Sequence, residues 1–134
     1  LKNPGTGLCL DTLQRDEKAA IDIGVFSCQG GGSSAQVFTL THEGQLRREE
    51  TCAGGGGSVL SARWSGTVKL QGCLGAGATN QRWTHSKAES PLVHESSQLC
   101  LDVEGLKNGD NLLLKNCEDG KATQQWTFAN YGAR

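Results

Sequence analysis

Apolar residues along this chain fall in short runs separated by small and polar ones. Ile21–Phe26, Thr67–Leu70 and Leu112–Leu114 are bounded by Gly, Asn and Asp, which predicts short strands. Gln29–Ala35, Ala53–Ser58 and Leu74–Thr79 are rich in turn-forming residues and are expected to be turns and loops. A 3.6-residue apolar period is sustained nowhere. Thr12–Ala20 has room for one turn of helix and no apolar stripe that would extend it.

The same pattern occurs three times. Leu1, Leu46 and Leu92 each open a unit, and Val25, Leu70 and Leu114 each stand three residues before a cysteine. Cys9, Cys52 and Cys100 come early in their units; Cys28, Cys73 and Cys117 come late. Gln36-Val37-Phe38, Gln81-Arg82-Trp83 and Gln124-Gln125-Trp126 close them. The spacing stays near 45 residues and uses the whole chain, with units of about 1–41, 42–86 and 87–134. One such unit cannot bury its apolar face alone, so three must close on one another. Three units of about four short strands predict an all-β β-trefoil, a six-stranded barrel capped by three hairpins; propellers typically need more blades. Phe38, Trp83 and Trp126 are the largest apolar groups of their units and are expected to fill the barrel. Gln36, Gln81 and Gln124 are expected to satisfy backbone groups where the chain turns.

Composition narrows the class. The chain has 134 residues, 19 Gly, 2 Pro and a formal net charge of −1, which suits one turn-rich β domain. Charges of both signs are interspersed, so nothing marks a nucleic-acid surface or direct membrane contact. No apolar run is long enough to span a bilayer as a helix. Beginning at Leu1 without Met, the chain reads as a domain of a longer protein.

No CxxC is present, and His42, His85 and His94 stand at no ligand spacing from the cysteines. A metal site is therefore not expected. Of the 15 possible pairings of six cysteines, the repeat selects Cys9–Cys28, Cys52–Cys73 and Cys100–Cys117, one bridge inside each unit. Each should stabilise the fold by about 3 kcal/mol, and together they imply an oxidising compartment. Glu49-Glu50 and Asp16-Glu17 are adjacent acids; neighbours on a strand face opposite ways, unlike a paired acid and base.

Cys9-Leu10-Asp11 and Cys100-Leu101-Asp102 at the start of repeats, with Gln124-Gln125-Trp126 at an end, resemble the ricin B-type lectins. Leu1-Lys2-Asn3, Gly7-Leu8-Cys9-Leu10-Asp11-Thr12-Leu13 and Gln36-Val37-Phe38-Thr39 look most like the C-terminal lectin domain of the polypeptide N-acetylgalactosaminyltransferases. The resemblance implies a non-catalytic domain with no cofactor of its own. It would bind galactose-type sugars, above all GalNAc on an O-glycosylated peptide, and steer an attached transferase. The complete protein would be a Golgi type II membrane enzyme. Its N-terminal catalytic domain, using Mn and UDP-GalNAc, would lie outside this chain. The same pattern also fits a lectin module of another secreted host, such as a toxin, a glycoside hydrolase or a free lectin, or a trefoil that has lost sugar binding.

Sugar recognition needs acceptors for neighbouring hydroxyls, a donor, and an apolar plate for the ring's C–H face. In the first repeat, the favoured one, the resemblance assigns these to Asp11, Phe26, Gln29 and Ser34. Ala35 stands where the family has Asn, leaving Ser33, Ser34 or Gln29 to supply that contact. The second repeat keeps Asn80 but has Gly54 in place of the acid, and Trp64 is its only nearby ring. The third has Asp102, Asn116 and Thr123, with no aromatic residue or His between Asp102 and Trp126. The alternative role for each Asp is to cap a turn through backbone N–H groups.

Overall fold

The computed structural model describes residues 1–13, 21–28, 36, 38–48, 51–55, 66–73, 79–87 and 89–128. Of residues 51, 55, 66, 71 and 72, only the backbone is described. All regular structure among these residues is strand or 3-10 turn. The first repeat forms β1 (Lys2–Asn3), β2 (Leu8–Asp11), β3 (Ile21–Asp22), β4 (Gly24–Ser27) and β5 (Thr39–Leu40). The second forms β6 (Leu46–Arg48), β7 (Thr51–Gly55), β8 (Gly66–Gly72) and β9 (Trp83–Thr84). The third forms β10 (Ser90–Pro91), β11 (Val93–His94), β12 (Leu99–Asp102), β13 (Leu113–Asn116) and β14 (Gln125–Trp126). Short 3-10 turns at Thr79–Gln81 and Ala122–Gln124 carry the glutamines of the second and third closing motifs.

The chain folds as a β-trefoil. Each repeat places its cysteine strand in an antiparallel ladder with the next long strand: β2 with β4, β7 with β8, and β12 with β13. The repeats join around the barrel through Ile23, Val68 and Leu112, each five residues before its second cysteine. The Ile23 N–H donates to Val68 O at 2.8 Å, and the Leu112 N–H donates to Ile23 O at 2.8 Å. The ring closes where Lys2 and Thr127 exchange two backbone hydrogen bonds of 2.8 and 2.9 Å.

The core is built from equivalent residues. Leu1, Leu46 and Leu92, then Val25, Leu70 and Leu114, then Phe38, Trp83 and Trp126 are all buried in one cluster. The Trp83 Nε1–H donates to Ala53 O at 2.9 Å, and the Trp126 Nε1–H donates to Leu101 O at 3.1 Å. Each indole therefore locks the cysteine strand of its own repeat while filling the barrel. Phe38, with no ring N–H, only packs. The three bridges Cys9–Cys28, Cys52–Cys73 and Cys100–Cys117 are formed within their repeats.

Equivalent polar side chains tie the repeats together. Asn3 Nδ2 donates to Ala122 O and Gln125 O at 2.9 and 2.8 Å, while its Oδ1 accepts from the Thr6 N–H at 2.9 Å. His94 is the third-repeat counterpart. Its Nε2–H donates to Asn80 O at 2.7 Å, and its Nδ1 accepts from the Ser97 hydroxyl at 2.7 Å. Burial pushes the His94 imidazole below its ordinary pKa, against smaller opposing effects of Asn80 and Glu95.

The local reading of turns needs correction in the second repeat. Ala53–Ser58 was expected to be a turn, yet Ala53, Gly54 and Gly55 lie in β7, paired with Leu70, Lys69 and Val68. Residues 56–58 lie outside the described part. Glycine favours turns locally, but here pairing along the whole of β7 with residues 68–72 and the close approach of Asn80 to Gly54 decide the matter. The expected strand at Ile21–Phe26 is two strands, β3 and β4, separated at Ile23, whose backbone serves the barrel junction. Gln29–Ala35, most of Leu74–Thr79 and most of Thr12–Ala20 lie outside the described residues.

Candidate functional site

In the first repeat, β2 and β4 pair Cys9 with Phe26 and Asp11 with Gly24. Side chains alternate along a strand, so Asp11 and Phe26 share one face, displaced by two residues along the ladder. That geometry puts their Cα atoms about 7–8 Å apart. Asp11 ends β2 and turns the chain: its Oδ1 accepts from the Leu13 N–H at 2.7 Å. Its Oδ2 accepts from Gln36 Nε2 at 2.9 Å, and Gln36 Nε2 also donates to Ser27 O at 3.1 Å. One glutamine thus fixes the carboxylate against the ends of both strands.

A carboxylate offers about four acceptor positions, so two bonds leave Asp11 capacity for more. It is 7% exposed, at the sheltered end of the face. Phe26 is 37% exposed and is the one exposed large hydrophobic residue among those described. Gly24 lies directly opposite Asp11 in the ladder. A Cβ there would strike the Leu13 side chain and come within 2.8 Å of Asp110 O. Leu13 therefore covers the glycine, with the Asp110 carbonyl beside it. Gln29 and Ser34, assigned to this site from the sequence, lie outside the described residues, as do Ser33 and Ala35.

The third repeat has the same framework with different neighbours. Asp102 Oδ1 accepts from the Glu104 N–H at 2.8 Å, and Oδ2 accepts from Gln124 Nε2 at 3.0 Å. Gln124 Nε2 also donates to Asn116 O at 2.8 Å. Here, however, Lys121 Nζ lies 2.9 Å from Asp102 Oδ2, 2.9 Å from Glu118 Oε2 and 3.1 Å from Glu104 Oε1. The Asp102 side chain is fully buried. Burial alone would raise its pKa; hydrogen bonds, first from Lys121 and then from the Glu104 N–H and Gln124, hold it below the ordinary carboxyl value. Lys121 is pushed up in turn by Asp102, Glu118 and Glu104.

The register position of Phe26 is taken by Lys115, opposite Cys100, and its Nζ is 3.5 Å from Glu104 Oε1. Thr123 accepts the Val103 N–H through its carbonyl oxygen at 3.1 Å, and its buried hydroxyl has no hydrogen-bond partner among the described residues. The structure places Asn116 opposite Leu99, at the far end of the ladder and with the opposite alternation, so its side chain does not face Asp102.

In the second repeat the acid is missing and its space is filled. A Cβ on Gly54 would lie 2.7 Å from Asn80 O, 3.2 Å from Gln81 Cγ and 3.3 Å from Asn80 Nδ2. Trp64 lies outside the described residues. No group of three or more His, Cys, Asp or Glu among the described residues is arranged to hold a metal. Lys121, Lys115 and the clamping role of the glutamines were not read from the sequence. The only signal for Lys121 is a basic residue three before Gln124, where the other repeats have Ser33 and Ala78.

The profile of the ricin-type beta-trefoil lectin domain family matches residues 1–126. The chain is similar to "Probable N-acetylgalactosaminyltransferase 9" of Caenorhabditis elegans, 38% identical over 125 residues, covering 92% of this chain and 20% of that protein. It is also similar to human "Polypeptide N-acetylgalactosaminyltransferase 14", 28% identical over 129 residues, covering 91% of this chain and 22% of that protein. The chain thus spans about a fifth of the length of these relatives.

Among solved structures, a GalNAc-transferase with UDP, GalNAc and Mn2+ superposes with a TM-score of 0.75 at 20% identity, covering 97% of this chain and 21% of the other. The agglutinin from Abrus precatorius superposes with a TM-score of 0.75 at 21% identity, covering 90% and 44%. At these identities the likeness is one of fold.

Proposed function

The chain belongs to the ricin-type β-trefoil lectin domain family, a carbohydrate-binding and non-catalytic module, and from that premise we propose that its first repeat is the sugar site. The observation that carries this reading is Asp11, with unused acceptor capacity, on the same ladder face as the exposed ring of Phe26. The carboxylate takes two neighbouring hydroxyls in charge-assisted hydrogen bonds, and the ring packs on the C–H face of the sugar. A shallow site of one ring and a few hydrogen bonds supports millimolar affinity, about −4 kcal/mol. Galactose-type sugars, and GalNAc on a peptide in particular, are the ligands proposed, a choice supported by the similarity to proteins named as N-acetylgalactosaminyltransferases.

In the third repeat the Lys121 ammonium already occupies the acceptor that a hydroxyl would use, and Lys115 replaces the ring. In the second there is no acid. The domain is therefore monovalent. Attached to a polypeptide GalNAc-transferase in the Golgi lumen, it would hold glycosylated substrate near a catalytic domain that uses UDP-GalNAc and Mn.

Titration with N-acetylgalactosamine, followed by 15N–1H NMR, tests this. Shifts confined to the strands β2 and β4, abolished in Asp11→Asn and retained in Asp102→Asn, are expected. No shifts in the parent domain at tens of millimolar sugar would leave the domain a structural trefoil.

A further inference from the structure

The first-repeat site has a wall that comes from the third repeat. After Asp102 the chain crosses to β4, where the Gly109 N–H donates to Val25 O at 2.8 Å and the Val25 N–H donates to Asp110 O at 2.9 Å. A tight turn holds this crossing. The Lys107 N–H donates to Asp110 Oδ2 at 2.7 Å, the Asp110 N–H donates to Lys107 O at 2.9 Å, and Gly109 adopts φ +91°. β4 is therefore flanked by β2 on one side and by residues 107–111 on the other. Phe26 stands between Asp11 and this segment.

The residue that reaches the rim is Asn108. Its Oδ1 accepts from the Ser27 N–H at 2.8 Å and from the Ser27 hydroxyl at 3.2 Å. A backbone N–H can only donate, so the oxygen of the amide must face Ser27 and the NH2 group must face away. Asn108 is exposed, and among the described residues its Nδ2 donates to nothing. A fixed amide donor thus stands at Ser27, next in sequence to the one exposed aromatic ring among the described residues and on the side of β4 away from β2.

Resting on the sugar-site reading, we infer that Asn108 is a further ligand-contact residue, donating from Nδ2 to a carbonyl oxygen of the peptide that carries the sugar. The polarity of the site supports this. Asp11 lies at the sheltered end, while Phe26 and Asn108 lie at the open end. A ring joined to a larger chain through its anomeric carbon must present the opposite edge inward, because the chain has to leave through the open end. Two strand spacings and three residues separate Asp11 from Asn108, roughly 14 Å. That exceeds one pyranose, so both residues cannot grip the same ring edge. The amide donor that Ala35 does not provide within the first repeat is thus replaced by one serving the carrier rather than the sugar.

Asn108→Asp tests this, since it keeps the acceptor for Ser27 and removes the donor. Calorimetric titrations compare free N-acetylgalactosamine, a GalNAc-Thr peptide and a GalNAc-terminated disaccharide. Loss of one neutral hydrogen bond predicts a Kd for the peptide conjugate about 3–10-fold higher in Asn108→Asp, with free-sugar Kd within about twofold of the parent. Equal weakening for free sugar and conjugate, no change for the conjugate, or weakening only for the disaccharide each overturns the assignment. If the parent binds free sugar, loses it in Asp11→Asn and is indifferent to Asn108→Asp, the sugar site stands and this inference alone falls. If the parent binds no sugar, both fall.

Discussion

The first and third repeats hold the same aspartate in the same way, and only one of them leaves it available. Asp11 and Asp102 each end a cysteine strand, each accept from the N–H two residues on, and each are clamped by the glutamine of the closing motif. What differs lies around them. On the Asp11 face are Leu13 over Gly24 and the exposed ring of Phe26; beside Asp102 are two lysines and two glutamates. The shared clamp is a scaffold feature, so an Asp in the right place is no sign of a free site by itself. A single lysine reaching back from the loop before the closing motif gives Asp102 an internal cation, whereas Asp11 has no such ion pair among the described residues.

The largest expected effect that separates the two repeats is on stability. Asp102→Ala strands Lys121, Gln124 and the Glu104 N–H around a buried gap and should lower unfolding free energy by about 3 kcal/mol in urea titrations. Asp11→Ala should cost about 1 kcal/mol while removing the NMR response to sugar. A reversal of either pair would break the comparison. Gly54→Asp asks whether supplying the missing acid makes a second site. Because the space is taken by Asn80 and Gln81, the expectation is a loss of about 2 kcal/mol by overpacking, read from the thermal midpoint, and no new sugar response.

Phe26→Ala should leave stability within about 0.5 kcal/mol, since the ring is exposed. Sugar affinity measured by NMR should nevertheless fall about 3–10-fold, corresponding to the loss of a ring contact of about 1 kcal/mol. The smallest effects concern pH. With its folded pKa depressed, Asp102 contributes stability that is present above the ordinary carboxyl value of about 4 and is lost as pH falls through the folded value. Urea midpoints should therefore fall from about pH 4 downward, and less steeply in Lys121→Met, where the principal stabiliser of the carboxylate is gone. His94 acts in a higher window: its depressed folded pKa makes stability decline as pH falls below about 6.5. His94→Asn, which copies Asn3, should flatten that decline.

The repeat was legible because it is written in residues with one structural use. The first cysteine of each pair, the leucines at fixed offsets and the closing aromatics appear in the core where their spacing put them. Asp11 and Phe26 were legible as candidates because a two-residue alternation from a shared cysteine ladder places them on one face. The remainder depends on contacts between segments distant in sequence. Lys121 reaches Asp102 across 19 residues, and Asn108 meets Ser27 across 81; neither separation has a period that a sequence pattern could carry. The glycines of β7 misled for a related reason. The small size of Gly54 answers to Asn80 packing above it, which a local turn propensity does not register.

The exchange of hydrogen bonds between Lys2 and Thr127, with Asn3 bound to Ala122 and Gln125, makes the molecule a hoop whose ends already touch. No repeat is topologically first. A chain joined by a short linker from residue 128 to residue 1 and reopened between two repeats keeps every barrel junction, so the order in which the three units are synthesised is separable from the shape they make. Any polypeptide attached at either side of the hoop meets it at one point, leaving the face with Asp11, Phe26 and Asn108 determined by the closed ring alone.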